Sequence, residues 1–217
     1  MNIRGIIFDY GNVLSLPAIE TEHLALARVS GLQPTVLDVH YWNHRRAYDA
    51  GDLDGKAFWQ AVARDAGTKF APLQISALIA HDIRMWTGLN QTMVDWACRL
   101  HRSGLRVGIL SNIGEELVVA MEEQFRWLHK LDHNVWSCRV RLTKPDPAIY
   151  EIQPKRFELT PQNILFLDDR EENIAAARIL GFQAVLFHNV QQLRAELNSM
   201  GVLDSLPPIE FTPQKGQ

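Results

Sequence analysis

Gly5-Ile6-Ile7-Phe8-Asp9-Tyr10-Gly11-Asn12-Val13-Leu14 is the stretch that decides the fold. A short apolar run stopped by an acidic residue and a turn is what a buried strand of a parallel sheet looks like. Asp9 then stands at the carboxyl end of that strand, the edge where ligands bind in open α/β sheets. Similar runs recur at Arg106 to Leu110, Asn163 to Leu167 and Gln183 to Phe187. Helical patterns separate them. Met93, Ala97 and Leu100 repeat at helical spacing with Gly104 as a stop, and Ile174, Ala177 and Leu180 do the same with Gly181. Strands alternating with helices imply a three-layer α/β/α, Rossmann-like parallel sheet.

Residues 15–86 break this rhythm. They hold four helical stretches, near Glu20–Ser30, Pro34–Tyr48, Gly55–Ala66 and Pro72–Arg84, and no buried strand. A helical block directly after the first strand reads as an inserted cap standing over the sheet. The catalytic core is then expected at 1–14 and 87–205. The Pro-rich, polar tail at 206–217 is expected to lie loose on the surface.

Composition narrows the function. The 217 residues carry a net charge of −3, with no basic block to suit a nucleic acid. No apolar run approaches the roughly 20 residues a membrane helix needs, and the N-terminus lacks the plan of a signal peptide. Cys98 and Cys138 form neither a disulfide framework nor a metal-ligand pair, so a cytoplasmic protein with two reduced thiols is expected. The histidines show no metal-ligand spacing. No stretch marks a self-complementary patch, so the oligomeric state is left open.

The residues just past the strand ends carry the chemistry. Asp9 stands after the first strand, Ser111-Asn112 after the second, and Asp168-Asp169 after the third, while Lys144 precedes a Pro-bounded helix start. Each alone is an ordinary turn, cap or solvated residue. Together they lie on one sheet edge and complement one another. Three carboxylates repel unless a proton or a cation sits among them, and a divalent oxygen-seeking ion such as Mg²⁺ resolves that conflict. Ser111, backbone N–H groups and Lys144 suit a dianionic phosphate. One carboxylate beside such a cradle can attack phosphorus.

Four motifs, FDYGNVL at 8–14, ILSN at 109–112, KPDPAIY at 144–150 and FLDDREENIAAA at 166–177, resemble the haloacid dehalogenase superfamily of hydrolases. The branch is similar to sugar-phosphate phosphatases and the N-terminal phosphatase domains of soluble epoxide hydrolases. Tyr48 to Trp59 is similar to the cap of that branch. The resemblance implies Asp9 as nucleophile and metal ligand, with Gly11 offering its backbone carbonyl to Mg²⁺. It implies Ser111 and Asn112 as phosphoryl holders and Lys144 as the bridge between Asp9 and phosphate. Asp169 would bind the metal directly, and Asp168 directly or through water. Asn173 would orient those ligands, or else be a solvated helix residue.

One position departs from the family pattern. Most phosphatases of this superfamily carry an acid–base Asp two residues after the nucleophile, where this chain has Gly11. General acid–base help is worth about 10²–10⁴-fold. A water, a cap residue or the substrate would have to move the proton, and anomeric or aryl phosphates should turn over best. In the cap, Trp42, Arg45 and Arg46 read either as specificity residues for a second anionic group or as packing with a solvated basic face. The expected function is a Mg²⁺-dependent phosphatase of a small phosphorylated metabolite. The alternatives are a 2-haloacid dehalogenase, which Gly11 fits and Asp168-Asp169 does not, and a non-catalytic phosphate-binding protein.

Overall fold

The computed structural model describes residues 2–213. Strand β1 spans Gly5–Phe8. It is followed by four helices: α1 (Glu20–Ser30), α2 (Pro34–Asp49), α3 (Gly55–Asp65) and α4 (Pro72–Met85). Next come α5 (Gln91–Arg102), β2 (Arg106–Ser111), α6 (Glu115–Gln124) and β3 (His133–Trp136). Short helices α7 (Ser137–Val140), α8 (Pro147–Tyr150) and α9 (Ile152–Phe157) lead to β4 (Ile164–Asp168). The chain continues through α10 (Glu171–Ile179), β5 (Gln183–Leu186) and α11 (Val190–Ser199).

All strand pairs are parallel, in the order β3-β2-β1-β4-β5. The chain leaves β1 toward β2 and β3, then crosses back to β4 and β5 on its other side. The strand order therefore reverses beside β1, and the crevice beyond the carboxyl ends of β1, β2 and β4 is the natural ligand site. Alternate residues feed opposite layers. Ile6, Phe8, Val107, Ile109, Leu165 and Leu167 pack with Trp96 of α5 on one face. Ile7, Leu110, Ile164 and Phe166 pack with Tyr150 and Phe182 on the other. This is the α/β/α architecture that the alternating pattern implies.

Helices α1 to α4 form their own core around Leu26, Leu37, Tyr41, Phe58, Trp59 and Leu78. Local chemistry sets their ends. Pro34 and Pro72 open α2 and α4, Asp54 caps α3 by accepting from Ala57 N at 2.7 Å, and α1 stops at Gly31 with φ +72°. The chain enters and leaves this block side by side. Leu16 N donates to Gly88 O at 2.8 Å and Asn90 N to Leu14 O at 2.9 Å.

Two features differ from the reading of the sequence. Strand β3 is additional: only Val135 and Trp136 of its four residues are buried apolar groups, because it is an edge strand. The tail is not loose over 206–213. Leu206 and Ile209 are buried, Trp96 Nε1 donates to Pro207 O at 2.8 Å, and Thr212 N donates to Thr92 Oγ1 at 3.0 Å. Proline and polar composition signals mobility, but two well-placed apolar side chains and a buried indole N–H in need of an acceptor hold this segment on α5. The rest of the expected tail, 214–217, lies outside the described residues.

Candidate active site

The turn after β1 sets the site. Asp9 N donates to Leu167 O at 2.8 Å, continuing the pairing with β4. The Asp9 carboxylate accepts from Tyr10 N at 2.7 Å. The chain then coils through Tyr10–Leu14, with Asn12 in the left-handed region at φ 56°, which Asn tolerates better than most residues. That turn aims the Asn12 amide at the other side of the crevice, where Nδ2 donates to Asp169 Oδ2 at 2.8 Å.

Lys144 lies between two acids. Its Nζ is 2.9 Å from Asp9 Oδ1 and 2.6 Å from Asp168 Oδ2, and its side chain is 1% exposed. Its position is fixed through its own backbone. Asn112 donates from Nδ2 to Lys144 O at 2.9 Å and accepts from Lys144 N at 2.8 Å. Both ends of that side-chain amide thus bond the Lys144 backbone, so Asn112 positions Lys144.

Asp168 is fully buried, and both its oxygens accept hydrogen bonds. It accepts from Arg170 N at 2.9 Å, from Lys144, and from Asn173 Nδ2 at 2.9 and 3.0 Å. Asn173 is 2% exposed, so it is no solvated helix residue. Asp169 is half-buried, and one oxygen from each of Asp9, Asp168 and Asp169 lies within 4.8 Å of the others. Among the described residues this is the one cluster of three potential metal ligands.

The electrostatics follow from burial. Desolvation pushes the Asp9 carboxyl up to about 7; Lys144 opposes this, and Asp168 and Asp169 add to it. Burial pulls the Lys144 ammonium down, but Asp168 and Asp9 outweigh it and leave its pKa raised. One ammonium against three carboxylates leaves excess negative charge. An all-oxygen donor set of this size and sign suits a hard divalent cation.

These groups line one cavity of about 860 Å³. Asp9, Gly11, Ser111, Asn112, Lys144, Asp169 and Asn173 form its floor, and Trp42, Arg45, Arg46, Asp49 and Trp86 come from the helical block or its exit. Asp168 lies behind the floor and does not line it. Trp42 is 55% exposed and Arg46 is exposed, whereas Arg45 is buried in ion pairs with Asp49 and Asp82. Arg45 is therefore a packed structural cation, and of the two arginines only Arg46 is free to meet a second anionic group. A Cβ at Gly11 would meet nothing within 4 Å. The missing acid at that position is thus a matter of sequence and not of space.

A doubly wound parallel sheet with Asp, Lys and paired Asp residues converging at its switch point defines a class of α/β hydrolase. The family model for haloacid dehalogenase-like hydrolases matches residues 3–181, and the chain belongs to that family. Bifunctional epoxide hydrolase 2 of Sus scrofa is 26% identical over 98% of this chain, which spans 42% of that protein's length. (S)-2-haloacid dehalogenase 4A of Burkholderia cepacia is 27% identical over 55% of this chain and 46% of its own. A HAD family enzyme of Bacteroides thetaiotaomicron, solved as a variant with magnesium and inorganic phosphate, superposes with a TM-score of 0.72. It is 16% identical, over 88% of this chain and 99% of its own, and shows the shared fold.

Proposed function

We propose that this chain is a Mg²⁺-dependent phosphatase of a small phosphorylated metabolite, working through an aspartyl-phosphate on Asp9. The observation that carries this reading is the convergence of Asp168 and Asp169 on Asp9. Two further carboxylates beside an anionic nucleophile hinder attack unless a cation sits among them. Asp9, Asp169 and the Gly11 carbonyl would hold Mg²⁺. Asp168, with both oxygens already occupied, would act through water and by fixing Lys144. Bound there, the metal would neutralise charge on the transferring phosphoryl group.

The chain's own groups do the rest. Asp9 attacks phosphorus. Lys144 favours the ionised form of Asp9 and offers its remaining proton to a phosphoryl oxygen. Ser111, 2% exposed at the end of β2, donates to another. Asn173 holds Asp168, and through it Lys144. Residues 15–86 act as a cap, with Trp42 and Arg46 selecting among substrates. The free thiols Cys98 and Cys138 fit a reducing, cytoplasmic setting, and no helix among the described residues is long and apolar enough to cross a membrane.

The dehalogenase relative and Gly11 favour a second reading, halide displacement by Asp9 without metal. One assay separates the two. Hydrolysis of p-nitrophenyl phosphate should require Mg²⁺ and vanish in Asp9→Asn. Chloride release from 2-chloropropionate in EDTA would instead establish the dehalogenase. Neither activity above the Asp9→Asn control would leave a phosphate-binding protein.

A further inference from the structure

Arg45 and Asp49 of α2 line the same cavity as Asp9, and they belong to a second buried charge cluster centred on Arg45. Arg45 Nε donates to Asp49 Oδ1 at 2.9 Å, one helical turn on. One terminal nitrogen of Arg45 donates to the Tyr41 hydroxyl and lies 3.5 Å from Asp82 Oδ1 on α4. The Tyr41 hydroxyl in turn donates to Asp82 Oδ1 at 2.6 Å. The guanidinium also sits 5.4 Å from the ring centroids of both Tyr41 and Tyr48. All of these groups are buried, so one cation faces two carboxylates with little water to share the charge.

Of the two acids only Asp49 lines the cavity that holds Asp9, Ser111 and Lys144. Arg45 takes its Oδ1. Among the described residues Oδ2 has no hydrogen-bond partner. Three contacts fix this end of α2 to the core. Asp49 O accepts from Ser137 Oγ at 2.6 Å, and the same hydroxyl accepts from Ile113 N at 2.8 Å, two residues beyond Ser111. Gly114 lies against the Tyr48 ring, where a Cβ would collide. Gly51, at φ +73°, lies against the Cys138 carbonyl in the same way.

We propose that Asp49 is the general acid and base that position 11 does not supply. The proposal rests on the phosphatase reading. In the first half-reaction Asp9 Oδ forms a bond to phosphorus while the bond from phosphorus to the leaving oxygen breaks. The leaving oxygen keeps that electron pair and takes the proton of Asp49. In the second, a water oxygen attacks phosphorus and gives its proton to the Asp49 carboxylate. The bond from phosphorus to Asp9 Oδ breaks with its pair returning to Asp9, and inorganic phosphate leaves with both acids restored.

The groups that face Asp49 fit this role. On its own helix are Arg45, Tyr41 and Tyr48; Asp82 faces from α4, Glu116 of α6 accepts from the Tyr48 hydroxyl at 2.8 Å, and Lys144, which lines the same cavity, opposes the rise. Burial raises the Asp49 carboxyl above its ordinary range; Arg45 opposes this and Asp82 reinforces it. A buried acid sharing one cation with a second acid retains a proton more readily than a solvated one. If Asp49 supplies the proton, the advantage of anomeric and aryl phosphates expected from Gly11 belongs to the enzyme without Asp49.

The test is a series of phosphate monoesters of graded leaving-oxygen basicity, from p-nitrophenyl to simple alkyl, assayed with Mg²⁺ in wild type, Asp49→Asn and Asp9→Asn. Wild type should depend only weakly on leaving-oxygen basicity. Asp49→Asn should lose about 10²–10³-fold on alkyl esters and show a burst of one p-nitrophenolate per enzyme, because the aspartyl-phosphate then waits for a base. Adding Gly11→Asp to Asp49→Asn should restore alkyl turnover at least about tenfold. A steep dependence in wild type overturns the proposal, and this arm needs no variant to fold. So does an Asp49→Asn loss that is absent, or equal for every ester without a burst. Wild type with no Mg²⁺-dependent turnover above Asp9→Asn overturns the phosphatase reading itself.

Discussion

Two clusters of buried charge border one cavity, and both set a single cation between two acids. In the core, Lys144 lies 2.9 Å from Asp9 and 2.6 Å from Asp168. In the helical block, Arg45 lies 2.9 Å from Asp49 and 3.5 Å from Asp82. They are built differently. The core cluster hangs on strand ends and on hydrogen bonds to the backbone of neighbouring loops, so its geometry is rigid before any ligand arrives. The other cluster links two helices through side chains alone, with aromatic rings closing round the guanidinium. The core arrangement is suited to chemistry. The Arg45 arrangement is what holds α2 and α4 together, and it leaves only one oxygen of Asp49 to the site.

That contrast is most directly broken by replacing the two cations. Lys144→Met should lower kcat/KM by about 10³-fold or more, because it removes both the charge beside Asp9 and a donor to the phosphoryl group. The measurement is steady-state hydrolysis of p-nitrophenyl phosphate with saturating Mg²⁺. Arg45→Met should act first on stability. Leaving Asp49 and Asp82 buried without a cation should cost about 3–5 kcal/mol, read from urea denaturation. If Arg45→Met left stability untouched and Lys144→Met mainly unfolded the protein, the roles of the two clusters would be reversed.

The two clusters were also unequally legible in the sequence. Asp9, Ser111 and Asp168-Asp169 each end a short apolar run, and strand ends are where a parallel sheet collects its site. Lys144 was found through its Pro-bounded helix start and its family motif. Arg45 and Asp49 look like any i, i+4 pair on a helix surface, because their spacing says nothing about which face is buried. Asp82 is remote from Asp49 in sequence, and only the packing of α4 on α2 brings it to Arg45. Asn12 is legible only as a member of the FDYGNVL motif; its left-handed backbone is what turns the amide toward Asp169. Edge strand β3 is not marked in the sequence, and segment 206–213 reads there as a loose tail, for the same reason. A few apolar residues hold each in place, while the local composition says turn or tail.

A smaller effect tests how the core cluster is held. Asn173 donates to both oxygens of Asp168 and makes no contact that the other cluster needs. Asn173→Ala should weaken Mg²⁺ binding by about 10–100-fold through loss of orientation alone. Isothermal titration of the metal in the absence of substrate would report it. Asn173→Asp, which adds a negative charge beside Asp168, should do worse than Ala in substrate turnover.

The last effect concerns pH, and its sign is set by the Asp9 carboxyl, raised by burial to about 7. Without metal, Asp9 holds a proton below that value and is ionised above it. A cation binding the carboxylate must displace the proton, so the apparent dissociation constant for Mg²⁺ should rise about tenfold for each pH unit below 7 and level off above it. Acidification weakens binding; alkalinisation beyond about pH 8 leaves it unchanged. Asp82→Asn, which alters only the Arg45 cluster, should leave that one-proton slope in place. A flat profile between about pH 5 and 8 in wild type would mean that Lys144 alone keeps Asp9 ionised. The core cluster would then be balanced as it stands, and only Asp169 would still call for a divalent ion.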